Sequence, residues 1–245
     1  MPEHLILFGA TGGIATALRE RLAREGWTLT LVTRRPEHLP DMPAHCAVVE
    51  ADSTTESGVR HAFEQAESTY GPPTAAVNTL GNVLLKPLHH TTGVEFTDIL
   101  RLHLFSSYAI LKESVARMDT GGRIVFISSA AARTGLPNHE LIAMAKGAVE
   151  GLVRSAAATY APKGLRVNAV APGLTETPAT AHLCKGKARE ASERLHPLGR
   201  IGKPEDVASA LAWLIDPAQS WVTGQILNVD GGLAHLRTHP SGRTA

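Results

Sequence analysis

Seven short apolar runs punctuate the chain, and amphipathic stretches long enough for helices separate most of them. The runs are HLILFG, TLTLVTR, CAVVEAD, AAVNTLG, GRIVFISS, LRVNAVAPG and GQILNVDGG, each of a length suited to a buried strand. IATALRERLAREG keeps its apolar positions on one stripe and stops at Gly26, the pattern of an amphipathic helix with a glycine end. Further helices are predicted over TESGVRHAFEQAESTYG, from about Glu95 to Met118, on the stretch carrying Lys146 as far as about Tyr160, and over PEDVASALAWLID. Apolar strands joined by crossover-length helices imply a parallel sheet covered on both faces. The expectation is a single doubly wound α/β domain with a seven-stranded sheet over residues 1–235, and a polar tail over 236–245.

Composition narrows the function classes. Hydrophobic residues make up 43% and charged residues 19% of the 245 positions, which suits a soluble globular protein with an ample core. A formal charge of +1 provides no field to recruit nucleic acid or anionic lipid. No run approaches the ~20 apolar residues of a membrane span, and the apolar run in MPEHLILFGATGG is too short for a signal peptide. Cys46 and Cys184 form no CxxC unit and read as thiols of a reducing compartment, so a cytoplasmic location is expected. The histidines form no HExxH or Cys/His ladder, and no metal site is expected. The expected partner is a small-molecule substrate.

The segment GATGGIA follows the first strand and opens the first helix. Amides at a helix start carry partial positive charge, and glycine lets a diphosphate approach them. Gly9, Thr11, Gly12, Gly13 and Ile14 are therefore candidate dinucleotide contacts. A carboxylate ending the second strand would bond an adenosine 2′-hydroxyl and repel a 2′-phosphate. Thr33, Arg34 and Arg35 stand there instead, which favours NADP(H) over NAD(H). Asp52 and Ser53 follow the third strand and are candidates to hold an adenine amino group, and Asn78 is a candidate brace for adjacent loops through its amide.

These motifs, in this order, resemble those of the short-chain dehydrogenase/reductase family across nearly the whole chain. GATGGIA resembles the family's TGxxxGxG turn, with Phe8 and Ala15 as departures, and NTLG resembles NNAG. ISS puts Ser129 at the position of the catalytic serine. RVNAVAPGLTETP matches the segment that meets the nicotinamide, with Pro172, Gly173, Thr175 and Thr177 as candidate contacts. LGRIGKPEDVASALAWL and VTGQILNVDGG complete the pattern. The resemblance implies a Rossmann-type fold, hydride transfer, and assembly as a homodimer or homotetramer.

In the family a serine, a tyrosine and a lysine cooperate, and an asparagine on the fourth helix assists a water relay. The tyrosine donates a proton to the carbonyl oxygen, and the lysine lowers the tyrosine pKa and holds the nicotinamide ribose. Ser129 and Lys146 match, but Ile142 fills the tyrosine position and His103 the asparagine position. Tyr160 lies fourteen residues past Lys146, about 21 Å along a helix axis, and Tyr108 falls on a different helix face from His103. His139 precedes Ile142 by three and Lys146 by seven, so the three share a face if the helix begins by Asn138. The Tyr-x6-Lys spacing of enoyl-acyl carrier protein reductases corresponds to His139-x6-Lys146. A neutral His139 either polarises a carbonyl oxygen or caps the turn. The stretch from Thr180 to His196 resembles the family's mobile substrate lid. Its Lys185, Lys187, Arg189 and Arg194 either meet an acidic group or form a solvated face.

Two readings remain. One is an NADP(H)-dependent oxidoreductase acting on a carbonyl or conjugated alkene through Ser129, His139, His103 and Lys146. The other is a non-catalytic NADP(H)-binding protein acting as a sensor or partner subunit.

Overall fold

A computed structural model of the protein describes residues 3–40, 42 and 45–237. Most of the polar tail expected at the carboxyl terminus lies outside the described residues. The seven strands form, as their sequence suggests, one sheet of parallel pairs. They are β1 (His4–Phe8), β2 (Thr28–Thr33), β3 (Cys46–Glu50), β4 (Ala75–Asn78), β5 (Arg123–Ile127), β6 (Arg166–Pro172) and β7 (Ile226–Val229). Their spatial order is β3-β2-β1-β4-β5-β6-β7, so the winding reverses between β1 and β4. Above the carboxyl ends at such a reversal the crossovers part and leave a crevice.

Strand alternation divides the core in two. On β1, Ile6 and Phe8 enter a cluster with Phe63, Ile110, Phe126 and Val153. These come from α2 (Glu56–Tyr70), α4 (Ser106–Arg117), β5 and α5 (Glu140–Tyr160). Leu5 and Leu7 point the other way, towards Leu18, Leu22, Leu211 and Leu214 of α1 (Gly13–Arg24) and α7 (Pro204–Ile215). Every residue of β1 is buried, the signature of a strand covered on both faces.

Two local features depart from the expected elements. The span expected as one helix from about Glu95 is α3 (Gly93–Leu100), a π-helical turn over Arg101–Phe105, then α4. Its start is set earlier by a capping box in which Thr92 and Glu95 satisfy each other's backbone amides. The wide turn has a chemical cause. The Ser106 hydroxyl donates to Leu102 O (2.6 Å) and that of Ser107 to His103 O (2.7 Å), the back-bonding that loosens a helix. Asn78 at the end of β4 donates to both hydroxyls (3.2 and 3.1 Å), pinning the loosened turn to the sheet.

The second departure concerns α5. Asn138 has φ 63°, in the left-handed region, so the helix begins at Glu140 and not by Asn138. His139 is its N-cap residue and lies outside the helical face that carries Ile142 and Lys146. The remaining helix, α6 (Gly186–Leu195), forms part of the segment expected to be a lid.

Candidate active site

A cavity of ≈ 460 Å³ opens above the carboxyl ends of β1, β4, β5 and β6, with α6 beside its mouth. Gly12, Gly13 and Ile14 line one side, and Pro172, Gly173, Thr175 and Thr177 the side next to it. Ser129, His139, Ile142 and Lys146 form a third wall, with His103 behind them. The chain thus brings together all the residues expected at a nicotinamide end. Gly9, Thr11, Thr33, Arg34, Arg35, Asp52, Ser53 and Asn78 lie outside this cavity.

The β1–α1 turn is shaped for close approach. Gly9 has φ 78°, and a Cβ there would sit 3.0 Å from Leu80 N and Thr79 Oγ1. A Cβ on Gly12 would meet only Gly9 O, at 3.4 Å, and would project into the open cavity. At Gly13 it would press on Thr177 and Pro178 at 3.1–3.2 Å, so a bare backbone lets the loop after β6 close over the start of α1. Helix α1 has no side-chain cap, which leaves its first amides available to an anion.

Beyond the turn, Thr33 Oγ1 accepts from the Arg35 amide (3.1 Å), and the side chains of Arg34 and Arg35 are exposed. Asp52 accepts from the amide and hydroxyl of Thr54. Burial pushes its carboxyl up, but the Thr54 bonds and the guanidiniums of Arg34 and Arg101 outweigh it and hold the value below the ordinary range. Arg101, on the π-helical turn, was invisible to a reading along the chain because nothing local ties it to Arg34. Ser53 is buried beside them. Besides its two bonds to serines of the helix, Asn78 accepts from Leu80 N at its Oδ1.

Lys146 dominates the electrostatics. It is 5% exposed, its ammonium donates to Ile127 O at 2.7 Å, and burial lowers its pKa to about 7. Ser129 Oγ accepts from the Ala131 amide, which leaves its hydroxyl proton free to donate into the cavity it lines. Ile142 packs with Ile99, Leu141 and Ala145 and adds hydrocarbon to this wall.

The two histidines are constrained by their partners. His139 Nδ1 lies 2.7 Å from Pro137 O and must carry the ring proton to bond it. The neutral ring therefore has no second proton for a substrate, and only its imidazolium form can donate from Nε2. His103 is 2% exposed, and its Nε2 donates to Asn82 Oδ1 at 3.1 Å. Burial first, and the charge of Lys146 second, hold its pKa well below 6.5, so it is neutral. Its Nδ1 is a buried acceptor without a partner among the described residues. Sequence reasoning missed Asn82, whose role depends on the π-helical turn swinging His103 towards it.

His196 was also missed as an individual. Its Nδ1 donates to Ser192 O in α6 (2.7 Å) and its Nε2 accepts from Leu174 N (3.3 Å). The ring thus ties α6 to the loop after β6, against Gly173, where a Cβ would lie 2.5 Å from Nε2. Lys185, Lys187 and Arg194 are exposed and do not line the cavity, and Arg189 is paired with Glu176 and Glu193. Among the described residues no group of three histidine, cysteine or acidic side chains is arranged to hold a metal ion.

A reversed parallel sheet, an uncapped glycine turn and a lysine-bearing crevice define a nucleotide-binding α/β protein. Comparison with known proteins makes this specific. The profile of a family described as enoyl-(acyl carrier protein) reductase matches residues 9–234. Carbonyl reductase family member 4 of Danio rerio is 34% identical over 242 residues, covering 96% of this chain and 100% of its own. The uncharacterized oxidoreductase YmfI of Bacillus subtilis (strain 168) is 30% identical, covering 95% and 99%. Among solved structures, the ligand-free aldohexose dehydrogenase AldT of Thermoplasma acidophilum superimposes with a TM-score of 0.89 at 30% identity, covering 99% and 98%. ElxO with NADP bound gives 0.88 at 24% identity, covering 95% and 99%, a likeness of fold. The chain belongs to the short-chain dehydrogenase/reductase family and is of the oxidoreductase type.

Proposed function

We propose that the protein is an NADP(H)-dependent oxidoreductase that acts on a carbonyl or a carbonyl-conjugated alkene. The observation that carries the reading is a solitary buried ammonium, Lys146, in the wall of a crevice that also holds the Ser129 hydroxyl. The glycine turn fits the cofactor: the open space in front of Gly12 and the uncapped start of α1 accept a diphosphate. Gly9, Thr11, Gly12, Gly13 and Ile14 hold that group, Pro172, Gly173, Thr175 and Thr177 flank the nicotinamide, and Lys146 holds its ribose. Arg34 and Arg35 take the 2′-phosphate with Arg101 in support, Asp52 and Ser53 bound the adenine, and Asn78 braces the site. Bound nicotinamide supplies or takes up the hydride.

The protein's own part is to hold the oxygen and manage the proton. Ile142 stands where the family has its tyrosine, so no phenol is available. Ser129 donates a hydrogen bond to the substrate oxygen, and the ammonium of Lys146 neutralises charge as it builds there. With a pKa of about 7, Lys146 can also release a proton near neutrality, which a lysine at its ordinary value does poorly. His103, held neutral by burial and by the charge of Lys146, is not an acid. His139 adds a donor only when doubly protonated. An alkene conjugated to a carbonyl suits this set, because water can protonate the resulting enolate without a strong acid.

The test is NADPH consumption against a panel of ketones and enones with the wild type, Lys146→Ala, Ser129→Ala and His139→Ala. Loss of turnover in the first two variants is expected. Tight NADPH binding without turnover on any substrate would favour the second reading, a nucleotide-binding sensor or partner subunit, for which the apolar Ile142 speaks. The exposed Phe96, Phe105, Tyr108 and Met144 on α3, the π-helical turn, α4 and α5 support assembly as a homodimer or homotetramer. Analytical ultracentrifugation distinguishes these from a monomer.

A further inference from the structure

Resting on the oxidoreductase reading, we infer that the substrate is an uncharged, largely hydrocarbon molecule that carries its reacting oxygen at one end. The composition of the cavity wall points there. Val83, Leu85, Ile142, Leu183, Leu195 and Leu233 line it, and they come from the loop after β4, from α5, from the lid and from the carboxyl-terminal segment. Among the described residues no carboxylate and no guanidinium lines the cavity, and Lys146 is the one ammonium. Of the carboxylates next to lining residues on this side, Glu176 and Glu193 are paired with Arg189, and Glu190 is exposed on α6 and does not line the cavity. A cationic substrate therefore finds no counter-ion among the described residues of the cavity. An anionic one finds only Lys146, which the reading above assigns to the reacting end.

A polyol fares no better. Several polar lining groups are already engaged within the protein: His196 with Ser192 O and Leu174 N, Thr175 with Gly173 O, and Thr180 with Thr175 O. The far walls present hydrocarbon, and a hydroxyl buried there without a partner weakens binding about tenfold or more. A methylene placed there tightens it by about three- to fourfold. Leu195 is 58% exposed at the mouth, an apolar surface that a hydrocarbon ligand would cover. The reacting end is where Ser129 and Lys146 line the cavity, so that end of the ligand is polar and the end against the leucines is not.

Two measurements test this on the full chain. The first is NADPH oxidation with methyl ketones and methyl vinyl-type enones from four to ten carbons, beside glucose, ribose, pyruvate and oxaloacetate. KM should fall about three- to fourfold per methylene over the first steps, and the sugars and oxo acids should be poor substrates. The second is calorimetric binding of secondary alcohols, butan-2-ol to decan-2-ol, to the NADP-loaded protein, with glucose and lactate as comparators. Affinity should rise with chain length, and Leu195→Glu should flatten that rise while NADP affinity stays the same. Chain-length-dependent binding without any turnover would uphold the inference and overturn the oxidoreductase reading. Preference for a sugar or an oxo acid in either measurement, or affinity indifferent to chain length, would overturn the inference and leave the oxidoreductase reading standing.

Discussion

Replacing Lys146 with methionine isolates the energetic peculiarity of this crevice. Burial takes the ammonium from an ordinary 10.5 to about 7, and each tenfold change in proton affinity is worth about 1.4 kcal/mol. The difference of roughly 3.5 pH units bounds the cost of burying the charge at about 5 kcal/mol. At pH 6 folded and unfolded chains both carry the proton, and the folded state bears the whole cost. Between about pH 7 and 10.5 the unfolded chain still binds a proton that the folded chain has released, so wild-type stability climbs with pH. Beyond that window the cost has vanished.

Methionine keeps an unbranched stem of similar length and has no charge to desolvate. It gives up the bond to Ile127 O, at roughly 1–2 kcal/mol. Lys146→Met should therefore be more stable than wild type by about 3 kcal/mol at pH 6, and the advantage should shrink to nothing or a slight loss by pH 10. Urea unfolding followed by tryptophan fluorescence at pH 6, 8 and 10, with circular dichroism to confirm folding, reads this directly. A midpoint difference that is the same at all three pH values would refute the reasoning, as would a weaker methionine variant at pH 6. Either result would mean that the lysine is hydrated in solution and titrates near its ordinary value.

Four further outcomes are expected. Removing both exposed guanidiniums in Arg34→Ala/Arg35→Ala should weaken NADPH binding by about tenfold to a hundredfold and leave NADH unchanged; equal losses by calorimetry would remove the basis for cofactor preference. Asn78→Ala leaves Leu80 N and two helix hydroxyls without their partner, and should cost about 2 kcal/mol in urea unfolding; an unchanged midpoint would dismiss the brace. His196→Leu cuts the tie between α6 and the loop after β6, so KM should rise with little change in NADP affinity. His196→Gln, whose carbonyl can accept from Leu174 N, should recover part of the loss, and identical behaviour of the two variants would show that packing alone matters. Ile142→Tyr should raise carbonyl reduction if the wall is otherwise family-like; an unchanged rate with cofactor bound would show that it is not.

Much of the architecture could be read along the chain because its determinants are local. Buried strands such as His4–Phe8 are apolar at every position after the first, and the turn from Gly9 to Gly13 follows in sequence, so neighbours in the chain are neighbours in space. The same holds for the start of α3, where Thr92 and Glu95 signal a capping box that periodicity alone passes over. The histidines were legible only as residue types. That His103 is neutral depends on its burial and, second, on the charge of Lys146 beside it, and that His139 turns its Nδ1 to Pro137 O follows from a turn in which Asn138 is left-handed and the helix starts late.

The amino-acid order by itself determined the sheet, its glycine turn and the set of side chains available at the carboxyl ends of the strands. Hydrophobic periodicity and backbone freedom act over a few residues, and they suffice for that. Only the tertiary structure decided which protons those side chains can give. Arg34, Asp52 and Arg101 come from three separate elements, and Lys146 is desolvated by walls drawn from several more. Burial and charge act through space, so the pKa of a group is a property of the folded crevice and not of the segment that carries it.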